Sequence, residues 1–292
     1  MLLSLILVAF SPSLATAQES RESLLWYRDT ALKVLENGGK LIRPVLSVEE
    51  RRIQSQLDIS VPVSGESGAY ARRSKDGRRQ IVISAGMTRT LEWLAIAFVF
   101  ERHFGFHGCL DEYASYLVRR IAENSARFKN NEPLKPVYPP QGYARTIGGS
   151  CQGLPRNFES SREAGADFAS MMDASLLFIY LHELAHHTLN HIGNTDSLRT
   201  SRAQEAEADA WAISIAFKAD FDLVAAAPAF TLIAGLGGSS LEDEVKQTHP
   251  LGIRRVLSML TEAHEIMLQK RYPDTNKLDR VLADIRRKFP SR

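Results

Sequence analysis

The sequence predicts a mainly helical α+β fold with one small antiparallel sheet. Apolar residues recur at every second position over residues 59–63 and form a short run at residues 81–83, which indicates strands, and they recur at helical spacing over most of the remaining chain. Of the 292 residues, 44% are hydrophobic and 24% are charged, which is typical of a folded globular protein and not of a disordered or coiled-coil chain. We therefore expect a single folded domain over residues 18–292.

The strand candidates lie close together in the first third of the chain. Ile59, Val61 and Val63 alternate with polar or small residues, and a glycine-rich, basic stretch separates them from an apolar run at residues 80–84. The first helix is expected to stop at the Asn-Gly-Gly of residues 37–39, and residues 130–157, rich in proline and glycine, predict a long irregular connection. Helices are expected over residues 21–36, 48–57, 90–104, 111–129, 163–190, 201–218, 251–270 and 277–288.

The first 17 residues have the features of a secretory signal peptide. An apolar run from Leu2 to Phe10 is followed by the small residues Ala15, Thr16 and Ala17, which suit cleavage before residue 18. The run is well short of the ~20 residues that a membrane-spanning helix needs. We therefore expect a periplasmic or secreted protein with no stable membrane span.

Charge and cysteine content restrict the partners of the chain. The net charge is only +2, so no strong basic field attracts nucleic acid, and no nucleic-acid partner is expected. Cys109 and Cys151 are the only two cysteines. After export they would meet oxidising conditions and could pair as a disulfide, although two separate thiols fit the sequence equally well.

A dense histidine cluster carries the chemical signal. Four of the eight histidines fall in HELAHHTLNH, residues 182–191, which contains an HExxH motif. On a helix this spacing places His182 and His186 on one face, one turn apart, where both imidazoles can reach one zinc ion. Glu183 then stands beside the metal as a catalytic base, whereas His187 and His191 fall off that face and are expected to be structural.

A catalytic zinc ion needs a third protein ligand. Ile192 stands where a metzincin would have its third histidine, which excludes that class. The next acidic cluster contains Glu205 and Asp209, which share a helix face, so Glu205 can bind the metal while Asp209 orients a ligating histidine. Glu207 is the competing ligand, but Trp211, four residues later, cannot orient a histidine in the way Asp209 can.

The chain resembles the zinc peptidases that include HtpX and the CaaX prenyl endopeptidases. HELAHHTLNH, the later ExxxD, and a Thr-His-Pro at residues 248–250 followed by Arg255 carry the resemblance, which covers about residues 69–260. It implies a zincin-type fold of the gluzincin class, one Zn²⁺ ion and endopeptidase activity on protein or peptide substrates, and it suggests a role in quality control of exported proteins. Leu251 replaces a common second proline, and about seventy residues separate the strand at 81–84 from the catalytic helix, more than is usual in this family.

His249 and the loop at residues 130–157 leave two questions open. By the resemblance, His249 would lie over the metal as a catalytic oxyanion donor or a blocking ligand, and a purely structural role is an alternative. An alternative function, from another class, is a zinc-containing binding or chaperone-like module whose site is occluded by the segment at 130–157.

Overall fold

The computed structural model describes residues 20–155, 161–193, 197–236 and 252–270, and residues 275, 278, 279, 282 and 283. Helices dominate and a three-stranded sheet lies near the amino-terminal end, so the mainly helical α+β class is confirmed. The expected signal peptide at residues 1–17 and His249 lie outside the described residues, as does most of the expected helix at 277–288. The helices are α1 (Arg21–Ile42), α2 (Val48–Ser55), α3 (Ala85–Phe104), α4 (Cys109–Lys129), α5 (Pro140–Thr146), α6 (Arg162–Thr188), α7 (Leu198–Lys218), α8 (Ala227–Leu236) and α9 (Gly252–Gln269).

The sheet is mixed, and the prediction of an antiparallel sheet was therefore wrong. Its strands are β1 (Leu57–Ser60), β2 (Ala69–Arg73) and β3 (Arg79–Ile83), in the order β1-β3-β2. β2 forms an antiparallel hairpin with β3, and β1 pairs with β3 in parallel. The sequence pattern missed β2, because its Ala-Tyr-Ala-Arg-Arg lacks apolar alternation. With β2 overlooked, β1 and β3 become consecutive strands joined by a short connection, and such strands usually pair antiparallel.

β1 is shorter than the alternating valines suggest. It ends at Ser60, so Val61 and Val63 lie beyond the strand. Pro62 stands between them and has no N–H to donate to a ladder, while its carbonyl accepts from the backbone N–H groups of Ser64 and Ala85. The chain therefore turns at Pro62 towards the start of α3.

α1 runs through the glycines that were expected to end it. The helix continues to Ile42, and Gly38 lies in its buried face. A Cβ at Gly38 would lie 2.6 Å from Cδ1 of Leu177 on α6, so the missing side chain lets the two helices approach. Here glycine serves helix packing, and the prediction of a helix stop was wrong for that reason.

α6 is the central helix of the fold. It packs against α1, α3, α7 and α8 and also against β2 and β3. Of the described helices, it is the one long and apolar enough to cross a membrane, yet 67% of its most apolar window is buried inside the fold. Such burial is typical of the core helix of a globular domain.

The segment expected to be irregular at residues 130–157 contains α5 and a short 3-10 turn at Gly149–Cys151. Hydrogen bonds hold it to α4: the Tyr113 hydroxyl donates to the carbonyl of Tyr138, and the backbone N–H of Lys135 donates to Asn124. The disulfide considered from the sequence is present, and it joins Cys109 at the start of α4 to Cys151. The described part of this segment is therefore fastened to α4 at both ends.

Candidate metal centre

α6 carries the HExxH residues in its last two turns. These residues directly follow a buried apolar stretch of the helix, and this end of the helix is also buried. The side chains of His182 and His186 are 9% and 13% exposed. The Nε2 atoms of these two histidines lie 3.2 Å apart. Both rings therefore direct the same nitrogen at one point in space.

α7 adds the third donor. Nε2 of His182 lies 3.4 Å from Oε2 of Glu205, and Nε2 of His186 lies 3.4 Å from Oε1 of the same carboxylate. The three donor atoms lie within 4.8 Å of one another. Two imidazole nitrogens and a carboxylate form a donor set that fits one metal ion. The structure thus brings together the three residues predicted as ligands.

Asp209 lies one turn after Glu205 on α7 and contacts the far side of the His182 ring. Its Oδ1 lies 2.9 Å from Nδ1 of His182, at ion-pair distance although not aligned for a hydrogen bond. Burial alone would lower the pKa of His182, but the carboxylates of Asp209 and Glu205 raise it to about 10. Asp209 thus lies against the nitrogen that points away from the metal position.

Arg255 on α9 is a member of the centre to which the sequence assigned no role. Its Nε and Nη2 donate to the two oxygens of Asp209, each at 2.9 Å, and its Nη1 lies 3.1 Å from Oε2 of Glu205. Burial alone would raise the pKa of Asp209, but His182 and then Arg255 lower it. A buried guanidinium therefore balances the two carboxylates.

The competing acid, Glu207, points away from the three donors. Its side chain is 64% exposed, and its Oε2 lies 3.0 Å from Nε2 of His191. Trp211, on which the argument against Glu207 depended, donates from its indole nitrogen to Glu50 on α2 at 2.8 Å. The geometry favours Glu205 over Glu207 as the third donor.

His191 lies beside the centre, although the sequence pattern placed it off the ligand face. The helix ends at Thr188, Asn190 has a left-handed φ of 57°, and the backbone N–H of His191 donates to the carbonyl of His186 at 2.9 Å. This Schellman turn folds the chain back over the helix end. An asparagine just after the helix was the sequence signal for it, but the predicted helix extended to residue 190.

The turn places His191 against the outer nitrogen of a predicted ligand. Nδ1 of His191 lies 3.1 Å from Nδ1 of His186. If His186 binds a metal through Nε2, its Nδ1–H donates to His191, whose Nε2–H then donates to Glu207. Burial lowers the pKa of His191, which favours the neutral ring that can accept at Nδ1. His187 differs, since its Nε2–H donates to the Gln80 carbonyl of β3 at 3.1 Å.

Glu183 lies between the metal position and the sheet. Its side chain is buried, and burial raises the pKa of the carboxyl, while the nearby histidines lower it by a smaller amount. The backbone N–H of Ala71 on β2 is also close enough to lower this pKa. A carboxyl with a raised pKa next to a metal position is suited to accept and return a proton.

The comparisons with known proteins give one match. No curated protein and no solved structure matches the chain. Residues 153–281 match the family model described as Peptidase U49, and this stretch contains His182, Glu183, His186, Glu205 and Asp209. The match of this part of the chain to a peptidase family supports the interpretation of the centre as that of a peptidase.

Proposed function

We propose that the chain is a zinc-dependent endopeptidase of the HtpX and CaaX prenyl endopeptidase type. The observation that carries this proposal is the close grouping of the donor groups: the Nε2 atoms of His182 and His186 lie 3.2 Å apart, and each lies 3.4 Å from one or the other oxygen of Glu205. Tetrahedral zinc with bonds of ~2.0 to 2.1 Å holds its ligand atoms ~3.3 Å apart. The two imidazole nitrogens therefore already have about the spacing that a tetrahedral zinc ion requires, and the Glu205 carboxylate lies close enough to complete the donor set.

The donor types support zinc over other divalent ions. Calcium and magnesium prefer shells made wholly of oxygen, whereas His182 and His186 offer nitrogen. Three protein ligands leave a fourth position open, as catalytic zinc sites do. Zinc bound there would polarise a peptide carbonyl and make an attacking water molecule more acidic.

The residues of the chain divide the remaining work. Glu183 accepts a proton from the attacking water as the C–O bond forms, and then transfers it to the amide nitrogen so that the C–N bond breaks and the amine leaves. Asp209 and His191 hold the two histidine ligands from behind, and Arg255 holds Asp209. Glu183 gains basicity from its burial, which opposes ionisation of the free carboxyl.

β2 offers a place for an extended substrate. In the described sheet it pairs with β3 on one side only, so its other edge can hydrogen-bond to a peptide backbone. Ala71, in the middle of β2, lies beside the catalytic carboxyl of Glu183. A peptide added to this edge would pass the metal position with its backbone ordered by main-chain hydrogen bonds.

We further propose that the chain acts on proteins in the compartment to which the sequence directs it. The small residues before position 18 suit signal-peptide cleavage. The disulfide between Cys109 and Cys151 is of a kind that forms and persists in oxidising compartments. Together these features support a periplasmic or secreted enzyme whose substrates are exported proteins.

The proposal is tested by metal analysis combined with cleavage of unfolded casein, with and without a chelator. Wild-type protein should contain one zinc ion per chain and show chelator-sensitive cleavage. Glu183→Gln should keep the metal and lose cleavage, because the base is not a ligand, whereas Glu163→Gln, an exposed change at the other end of α6, should behave as wild type. Tightly bound zinc without chelator-sensitive cleavage would instead indicate the binding or chaperone-like module.

A further inference from the structure

The turn that joins β2 to β3 is strongly basic. Over residues 72–79, which we call the basic hairpin, there are five arginine or lysine residues and one aspartate, a net charge of +4. The whole chain carries only +2, so the remainder of the chain sums to −2. Positive charge is therefore concentrated on one hairpin beside the site. The cationic members are Arg72, Arg73, Lys75, Arg78 and Arg79.

Most of this charge is not neutralised within the fold. Arg78 is paired with Asp76 at 2.7 Å. Among the described residues, no carboxylate lies at ion-pair distance from Arg72, Arg73 or Lys75, and all three are exposed. Arg72 donates to the side-chain oxygen of Gln80, and Arg73 donates to the carbonyl of Gly77, so neutral groups hold both side chains. These guanidinium groups stay available for an anionic partner.

The basic hairpin continues directly from the edge strand that passes the catalytic carboxyl. Arg73 is two residues after Ala71, a distance of ~7 Å along a strand. Successive side chains of a strand point to opposite faces, so Arg72 and Arg73 cover both faces of β2.

We propose that the basic hairpin selects substrates with acidic side chains on the amino-terminal side of the cleaved bond. This inference rests on the peptidase function proposed above. Antiparallel pairing is the more stable way to extend a sheet. A peptide that runs antiparallel to β2 has its amino-terminal part beside the basic hairpin and its carboxyl-terminal part beside the start of β2. Its residues two or more positions before the cleaved bond then lie beside Arg72 and Arg73. An aspartate or glutamate there finds a guanidinium on either face.

The composition of the hairpin favours an acidic peptide over an anionic membrane surface. Residues 72–79 contain no large apolar side chain that could enter a bilayer. Segments that bind at membrane surfaces combine basic residues with large apolar ones. The open edge of β2 supplies main-chain hydrogen bonds, which a peptide can use and a lipid surface cannot. The charge and the edge together fit an extended acidic polypeptide.

Paired peptides test the proposal. The starting point is a peptide that the protein cleaves in a chelator-sensitive manner. It is made in two versions, which carry either two glutamates or two glutamines at positions two to four before the cleaved bond. A second pair carries the same change after the cleaved bond. kcat/KM is measured at low and high salt for wild type, for Arg72→Gln/Arg73→Gln, and for the control Arg43→Gln/Arg162→Gln, which removes the same charge from exposed positions elsewhere.

Wild type should prefer the glutamate peptide of the first pair by ~3 to 10 fold at low salt, with less preference at high salt. The hairpin variant should lose the preference and keep its rate on the glutamine peptide, whereas the control should retain both. Equal discrimination by wild type and hairpin variant would overturn the proposal, as would a preference confined to the second pair.

Binding separates failure of this inference from failure of the proposed enzyme. Glu183→Gln protein, with and without the hairpin changes, is titrated into fluorescent glutamate and glutamine peptides and into vesicles of phosphatidylglycerol and phosphatidylcholine. Binding of the glutamate peptide that depends on the hairpin supports the selection even if no variant cleaves any peptide. Hairpin-dependent binding to vesicles, with no difference between the peptides, would overturn it, even if cleavage is observed.

Discussion

Replacing Asp209 by asparagine should weaken both metal binding and the fold, because this one carboxylate contacts two cationic groups. Its Oδ1 lies 2.9 Å from Nδ1 of His182, and its two oxygens accept hydrogen bonds from Arg255. Asparagine keeps the size and shape of the side chain and removes its charge. The change therefore tests the charge of Asp209 without opening a cavity.

The expected sizes follow from the two contacts. Loss of a carboxylate behind a ligating histidine weakens metal binding by ~10 to 100 fold. Breaking a buried ion pair from one side costs ~3 to 5 kcal/mol, and the Arg255 side chain is only 9% exposed. Arg255 keeps its contact with Glu205 at 3.1 Å, so we expect the lower value, ~3 kcal/mol, in the metal-free protein.

Glu207→Gln is the matched control, since it makes the same chemical change two residues earlier on α7. Its side chain is 64% exposed, so we expect less than ~1 kcal/mol of lost stability and no more than a few-fold loss of affinity. Metal affinity is measured by competition with a chelating dye, and stability by urea unfolding of the metal-free protein. The reasoning fails if Asp209→Asn matches wild type in both assays, or if Glu207→Gln shows the larger loss of metal.

Four further results are expected. Because the pKa of His182 is raised from 6.5 to about 10, its contribution to the stability of the metal-free protein is complete below pH 6.5 and is lost as the pH rises towards 10. For the same reason zinc binding at pH 7.5 should displace close to one proton from this ring, whereas a histidine with the ordinary pKa would release only about a tenth of a proton. Calorimetry of the Glu183→Gln protein in buffers of different ionisation enthalpy can measure this number. Replacing Cys109 and Cys151 together by alanine should cost ~4 kcal/mol in urea unfolding, since their bond closes a 42-residue loop, and a loss below ~1 kcal/mol would contradict this. Gly38→Ala should destabilise the fold by ~1 to 3 kcal/mol, because the added Cβ would clash with α6. Gly39→Ala should stabilise the fold by up to ~1 kcal/mol, because its Cβ would have no neighbour closer than 3.6 Å. The reverse order of stability would refute the packing argument.

The residues that the sequence could identify are those related by helical spacing. His182 and His186 are one turn apart, as are Glu205 and Asp209, and each pair lies on one helix. Local periodicity fixes which face such residues share, so their grouping follows once the helices are recognised. The mainly helical class was predictable for the same reason.

The residues that the sequence did not identify reach the centre by turns and by tertiary packing. Arg255 lies 50 positions after Glu205 and joins it because α9 packs against α7. His191 reaches His186 through a single left-handed residue after the helix end. β2 lacks the apolar alternation that would have predicted a strand. In each case the determining contact lies outside the periodicity of one element, which is the only geometry that a single sequence displays.

Charge balance explains why an arginine lies in a centre that we propose to bind a metal cation. Glu205 and Asp209 are both buried, and two uncompensated buried carboxylates would oppose folding strongly. Arg255 and the proton held on His182 supply two positive charges against them. Binding of a divalent ion with loss of that proton changes the net charge of the cluster by only one unit. Arg255 therefore allows Asp209 and Glu205 to be in place before the metal arrives, so that the donor geometry belongs to the fold itself.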